Sequence, residues 1–373
     1  MKGRKIIILS IIIIEITIFS GCRSYNDVNK LLFVTTVIVD IDKNNKPIIY
    51  LEAFKPTKSA NSGSERGQRL LFKGTGKTIF EAIRDVHMSS SQQFSYTQNK
   101  IVMYTQRAAA YGIDDFLDIL DREQEFLVRP YIAVLIGEPE EFLNSDFKAE
   151  EYLGIYLNDL IDNEGASSRA VKLQINEYFI KRLIGSKTNI VTAIDLKKGQ
   201  LQDIIEIRGG AVIKQDKMVY FMPRTDGLGY NFLMNRLNMG SLEITNPDEE
   251  NSFVTLRVLK SKTRTELTYD GKVIHLYKNI KLTTSIADVQ KSITFNNEEL
   301  NKIKSKSKSN IIEACNSVFN KYKNMDLDIF DVTEEFNRKY PKVKIENPLK
   351  ITELEIQVDE NIEGSPDKQE FPK

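Results

Sequence analysis

Apolar residues fall into short runs through the first third of this chain and into longer periodic stretches beyond it. Leu31 to Ile41 and Pro47 to Phe54 are rich in Val, Ile, Phe and Tyr and bounded by turn residues, which predicts two buried strands. Lys58 to Arg69 is rich in Ser, Gly and Asn and predicts an exposed loop, with extended structure resuming over Leu70 to Lys73. Thr78 starts a helix, because Glu81 three residues on completes a capping box and Ile79, Ile83 and Val86 or His87 recur at helical spacing. A short strand over Lys100 to Thr105 precedes helical spacing from Ala108 to Arg122. Pro130 to Ile136 predicts a buried strand and Pro139 to Asn144 a short helix. Helical patterns also cover Glu150 to Ile161 and Lys172 to Ile184.

From Ile204 the pattern changes. Ile205 to Ile213 and Lys217 to Met222 predict a hairpin across Gln215-Asp216, followed by a helix from about Asp226 to Leu237. Phe253 to Tyr269 and Lys272 to Ser285 predict two long antiparallel strands joined at Asp270-Gly271. Glu298 to Lys323 is a long helix, Val332 to Tyr340 a shorter one, and Leu354 to Val358 a closing strand. Strands and helices come in blocks without sustained βαβ alternation. The fold class expected is therefore α+β, built on mainly antiparallel sheets with packed helices, and the length is enough for two or three domains. The boundaries expected are an N-terminal domain over 31–200, a small middle α/β unit over 201–250, and a C-terminal domain over 251–362 holding the long hairpin and long helix. The last residues, 363–373, carry two prolines and many charges and are expected to be a disordered tail.

The N-terminus reads as an export signal over 1–21. Lys2, Arg4 and Lys5 precede an almost wholly apolar stretch of fourteen residues, Ile6 to Phe19, which as a helix covers about 21 Å. That falls short of the ~30 Å hydrocarbon core, so a permanent span is disfavoured, and Glu15 weakens it further. Phe19-Ser20-Gly21-Cys22 resembles the lipobox of bacterial lipoproteins, in which the Cys22 thiol would take the lipid. The competing reading is an ordinary secretory signal with Cys22 incidental. Residues 22–30 are polar and predict a tether. Lipidation leaves Cys315 without an intramolecular disulfide partner. Its helical neighbours Ile311, Val318, Phe319 and Tyr322 make it a buried small hydrophobe.

Composition narrows the chemistry. Lys plus Arg equals Asp plus Glu at 52 each, so no global charge draws this protein to nucleic acid. Gly74-Thr75-Gly76-Lys77-Thr78 suggests a P-loop, but the glycine required five positions before Gly76 is Leu71, and a flexible lead into a capped helix is the better account. The two histidines, His87 and His275, lie far apart in sequence and in no metal-binding spacing, so structural roles are expected. No catalytic residue, cofactor or metal is expected. Lys302, Lys304, Lys306 and Lys308 read as a solvated charge run, with contact to anionic lipid as the alternative.

Several segments in order resemble the Ger(x)C family, the lipoprotein C-subunits of spore germinant receptors. They are the stretch Cys22 to Lys30, the acidic strand exit Val39-Asp40-Ile41-Asp42, Gly74 to Arg84, Lys100 to Tyr104, Gly112 with Leu117 to Glu123, Gly209 to Val219, and Asn320 to Phe330 with Arg338-Lys339-Tyr340-Pro341. Arg23 stands where the family commonly has Trp, and Tyr96 to Asn99 where it often has His. The resemblance implies three α+β domains on a lipid anchor at the outer face of the cytoplasmic (spore inner) membrane, beside integral-membrane receptor subunits. It implies no catalytic residues. Asp40, Lys77, Arg122 and Asp216 are its surface candidates, each with a turn or cap role as the alternative. The runner-up is a lipid-anchored solute-binding protein of an uptake system, against which the long hairpin argues.

Overall fold

The computed structural model describes residues 30–56, 67–117, 129–145, 152–163, 168–237, 239–247, 249, 251–291 and 296–363. The export signal, Cys22, Arg122, most of the Ser/Gly/Asn-rich loop and the residues after Glu363 lie outside them.

The first half is one sheet with antiparallel rims and a parallel centre. Its strands are β1 (Leu31–Ile41), β2 (Pro47–Lys55), β3 (Gln68–Thr75), β4 (Gln93–Ser95), β5 (Ile101–Thr105), β6 (Tyr131–Ile136), β7 (Thr188–Lys197), β8 (Ile204–Lys214) and β9 (Lys217–Pro223). The order is β3-β2-β1-β5-β6-β7-β8-β9, with β4 beside the start of β1. Strands β1, β5, β6 and β7 are parallel, and the pairs toward both edges are antiparallel. Near-continuous burial of β1 and β5 follows, because parallel centre strands are covered on both faces. Helices α1 (Ile79–Met88), α2 (Gln106–Tyr111) and α5 (Ile175–Lys181) cover one face. Helices α3 (Pro139–Leu143) and α4 (Leu153–Asp162) cover the other.

The second half is a four-stranded sheet in the order β10-β11-β12-β13, comprising Gly240–Thr245, Phe253–Tyr269, Ile274–Val289 and Thr352–Glu363. It is backed by α6 (Gly227–Leu233), the 28-residue α7 (Asn297–Asn324) and α8 (Val332–Lys339). The long hairpin turns at Asp270-Gly271, where the Asp270 carboxylate accepts the Lys272 and Val273 N–H groups at 2.8 Å each. Those two backbone donors, first, and then His275 hold the Asp270 carboxyl down at about 2.

The α+β class and the antiparallel-rich sheets agree with the sequence reading. Four details differ. The hairpin expected inside a middle unit over 201–250 pairs onto β7 and extends the first sheet, whereas α6 and β10 join the second core. Strand β7 was not anticipated; buried Thr188, Asn189 and Thr192 break its apolar pattern. The short strands β4 and β10 were not anticipated either. Strand β3 starts at Gln68, inside the span expected to be loop.

Candidate functional site

Each sequence-marked residue within the described structure is best understood from its partners. Thr78 caps α1 as expected, its hydroxyl accepting the Glu81 N–H at 3.2 Å, while the Glu81 carboxylate takes the Lys77 N–H at 2.7 Å. Lys77 is exposed at this helix start. The two glycines of the stretch let α1 lie directly on the sheet. A Cβ at Gly74 would stand 2.2 Å from the Ala82 carbonyl oxygen, and one at Gly76 2.5 Å from the Ala82 nitrogen. Close packing, not phosphate, accounts for the motif.

Asp40 was expected on the surface and is fully buried. It is the penultimate residue of β1, where it accepts the Thr105 hydroxyl at 2.5 Å and Arg107 Nε at 2.6 Å, with Arg107 Nη2 on its second oxygen. Arg107 also pairs with Glu138 at 2.7 Å, and these carboxylates, Asp40 first, hold its guanidinium above the usual range. The four residues close the carboxyl end of β1 and β5, the place where open parallel sheets commonly receive ligands.

Asp216 is both a turn residue and an anchor. Gln215 and Asp216 have φ of 52° and 63°, the left-handed pair of a type I′ turn. The Asp216 carboxylate takes Arg182 Nε at 2.9 Å, Arg182 Nη2 at 2.6 Å and the Tyr178 hydroxyl at 2.8 Å, tying the β8–β9 hairpin to α5. Burial first, then Asp216, raises both the Tyr178 and Tyr104 hydroxyls above the ordinary tyrosine range.

Three charged groups were missed by the sequence reading. Glu52 is fully buried in β2 and accepts the Thr35 hydroxyl at 2.6 Å, the Thr36 hydroxyl at 3.0 Å and Arg69 Nε at 2.6 Å. It also takes the Leu153 and Gly154 N–H groups at 2.9 and 3.1 Å, placing an anion at the positive start of α4. Lys278 is buried on the core side of β12, donating to the Leu233 carbonyl at 2.8 Å and the Thr265 hydroxyl at 2.9 Å. Burial pulls its ammonium down to about 8. Asp226 accepts Lys321 Nζ at 2.6 Å and the Tyr322 hydroxyl at 3.0 Å, holding the lead into α6 against α7. Glu52 and Lys278 had a visible signal, a lone charge in an apolar strand register; Asp226 had none.

A cleft of about 400 Å³ opens between the halves, lined by Tyr131, Lys172, Glu177, Asn231, Asn235 and Arg236 among others. Its walls already bind one half to the other. Arg236 donates to the Lys172 carbonyl at 2.6 Å, and the Asn231 amide donates to the carbonyls of Ser168 and Ala170 at 3.0 and 2.8 Å. Farther along the joint, Lys181 pairs with Asp331 at 2.6 Å, and Lys214 with Asp326 at 3.2 Å. Val171, Ile190, Val212 and Met222 of the first half belong to the core of the second.

Cys315 is buried on α7 as expected, and burial pushes its thiol up to about 12. His87 stacks on Phe94 with ring centroids 5.2 Å apart. His275 stands 3.3 Å from Asp270 and 3.7 Å from Glu355. Among the described residues, no group of three or more His, Cys, Asp or Glu side chains is arranged to hold a metal ion. No helix among them is long and apolar enough to cross a membrane.

Two family models match in tandem. Residues 24–196 match the spore germination protein N-terminal domain, and residues 208–365 match the spore germination B3/GerAC-like C-terminal domain. Spore germination protein GerQC of Bacillus cereus is 20% identical over 72% of this chain and 74% of its own length. Spore germination protein KC of Bacillus subtilis (strain 168) is 21% identical over 63% of each chain. The crystal structure of the GerBC protein superposes with a TM-score of 0.59 at 14% identity, covering 87% of this chain and 96% of that one, so the fold is shared. The two matched domains, the relatives and the shared fold agree: this chain belongs to the Ger(x)C family of germinant-receptor C-subunits and has a role in spore germination.

Proposed function

We propose that this protein is a lipid-anchored, non-enzymatic subunit of a spore nutrient-germinant receptor, acting with integral-membrane subunits at the outer face of the cytoplasmic (spore inner) membrane. The observation that carries the reading is the tandem family match, which runs in family order from residue 24 to residue 365. The anchor rests on Cys22 directly after Ser20-Gly21, behind an apolar run too short to span. From Cys22 to Leu31 the chain reaches at most about 32 Å when extended. A lipidated Cys22 therefore keeps the folded body close to the membrane surface and raises its effective concentration toward membrane partners. The non-enzymatic role is supported by how the charged groups are used: Asp40, Glu52, Asp216 and Asp226 are each taken up by partners that hold the fold.

Deletion of the gene in a strain without a redundant receptor tests the role, with loss of nutrient germination as the expected result. Normal germination there would overturn it. The Cys22→Ala strain tests the anchor separately, by acyl labelling and membrane fractionation. Retained label and retained membrane attachment would remove lipidation from the account.

A further inference from the structure

Strand β13 is an edge of the second sheet and the longest edge strand in the described structure. It pairs with β12 over twelve consecutive residues without a bulge and contains no proline. The opposite edge, β10, has six residues, and the edges of the first sheet, β3 and β9, have eight and seven. Long regular edges are normally shortened, bulged or interrupted by proline, because their free N–H and C=O groups invite pairing. β13 has none of these and is guarded by charge instead: four acids stand in its exposed row and Glu360 points inward and is buried, which disfavours unselective pairing and leaves a basic strand as the complement.

Its side chains alternate strictly. The exposed row is Glu353, Glu355, Gln357, Asp359, Asn361 and Glu363; the row facing α7 holds half-buried Leu354, Ile356 and Ile362, which pack on the core, with buried Val358 and Glu360 between them, the Glu360 carboxylate accepting the Thr284 hydroxyl at 2.8 Å. One strand inward, His275 pairs with Glu353 and Lys281 with Asp359. Basic groups thus stand behind two of the acids, and among the described residues only the open side lacks a partner row. A second copy of this chain is a poor occupant, since antiparallel β13–β13 pairing sets acid opposite acid.

We propose that the β13 edge docks an extended segment of a partner protein as a fifth strand, the segment alternating basic side chains with apolar ones. Main-chain hydrogen bonds would give the attachment, Lys or Arg would meet the acidic row, and apolar residues would extend the Leu354–Ile356–Ile362 row. Within the receptor reading this is a docking surface for a partner subunit, but its test is independent of germination and of lipidation.

The test uses the chain from Lys30 and a fluorescent ten-residue peptide alternating Lys and Val, read by anisotropy at physiological salt and by hydrogen exchange. The expected result is saturable binding with added amide protection over residues 353–363. A Glu–Val peptide and a Lys–Val peptide N-methylated throughout should each bind at least tenfold more weakly. In the Glu355→Lys/Asp359→Lys variant the preference should invert toward the Glu–Val peptide, and Glu355→Gln/Asp359→Asn should lose discrimination without inverting it. Equal binding of the methylated peptide, protection elsewhere on the chain, or no binding at all would each overturn the proposal.

Discussion

Glu52 shows what a buried charge demands of its surroundings. Two hydroxyls, one guanidinium and two helix-terminal N–H groups converge on it from β1, β3 and α4. Removing the carboxylate leaves Arg69 Nε and the start of α4 without their acceptor, Arg69 keeping only its bond from Nη2 to the Leu143 carbonyl, so Glu52→Ala should cost about 3–5 kcal/mol in chemical denaturation. Glu52→Gln, which keeps the shape and loses the ion pair, should fall between it and the wild type. A loss below about 1 kcal/mol for the alanine variant would contradict this account. Lys278 makes the complementary case. Its folded pKa is lowered to about 8 against the usual value near 10.5, so between those values the folded state holds fewer protons than the unfolded one. Stability from this group therefore rises with pH across that window, and the penalty, about 3 kcal/mol, is fully present below pH 8. Lys278→Met should change stability relative to wild type by an amount that becomes less favourable to the variant by about that much from pH 7.5 to 10.5. A difference that stays flat across the range would show that the lysine is not desolvated. Both residues were missed although each left a signal in the sequence, a lone charge inside an apolar strand pattern. Asp40 was misread because a carboxylate at a strand exit ordinarily meets water, and its partner Arg107 comes from a helix whose docking no local pattern records.

Helix α1 and the Asp270 hairpin were readable because their determinants are local. The capping box at Thr78 and the turn at Asp270-Gly271 each require particular residues within a few positions, and side-chain alternation runs unbroken through the first twelve residues of β12. The parallel centre was not readable in the same way. Its strand β7 carries buried Thr and Asn whose partners are distant in sequence, such as the Val171 carbonyl that takes the Thr192 hydroxyl at 2.8 Å. Pairing of β6 with β7 depends on a crossover of about fifty residues, and no local signal sets it. The glycines before α1 separate local from tertiary constraint. Gly74→Ala places a Cβ 2.2 Å from the Ala82 oxygen and 2.5 Å from Val86 Cγ2, so α1 must move off the sheet. We expect a loss of about 1–3 kcal/mol, measured by thermal or urea unfolding, although alanine favours a strand or helix over glycine elsewhere. A neutral Gly74→Ala would show that α1 does not bear on β3 as closely as its geometry indicates.

At the scale of the whole molecule, β8 is the element that joins the halves. Ala211 and Ile213 point into the first core, and Val212 between them points into the second. Edge-to-face packing of Tyr220 on Tyr322, with centroids 5.9 Å apart, continues the apolar contact beside the Asp226–Lys321 pair. Around this apolar centre lie ion pairs such as Lys181–Asp331 and Lys214–Asp326, whose side chains keep between 23% and 60% of their exposure. Partly exposed pairs of that kind contribute about 0–1 kcal/mol each, whereas a fully buried valine contributes about 1.5–3 kcal/mol. The shared core, more than the ion pairs, should therefore make the two halves unfold together. Calorimetry of the chain from Lys30 is expected to show one transition. Lys181→Ala combined with Lys214→Ala should lower its midpoint slightly and leave it single. Val212→Asp puts an unpaired charge into the shared core and should divide the transition in two. The reverse outcome, with division in the lysine variant and a single transition in Val212→Asp, would assign the coupling to charge. A single transition would bear on the proposed role, because a contact made at β13 would then be energetically linked to the first half through the core they share.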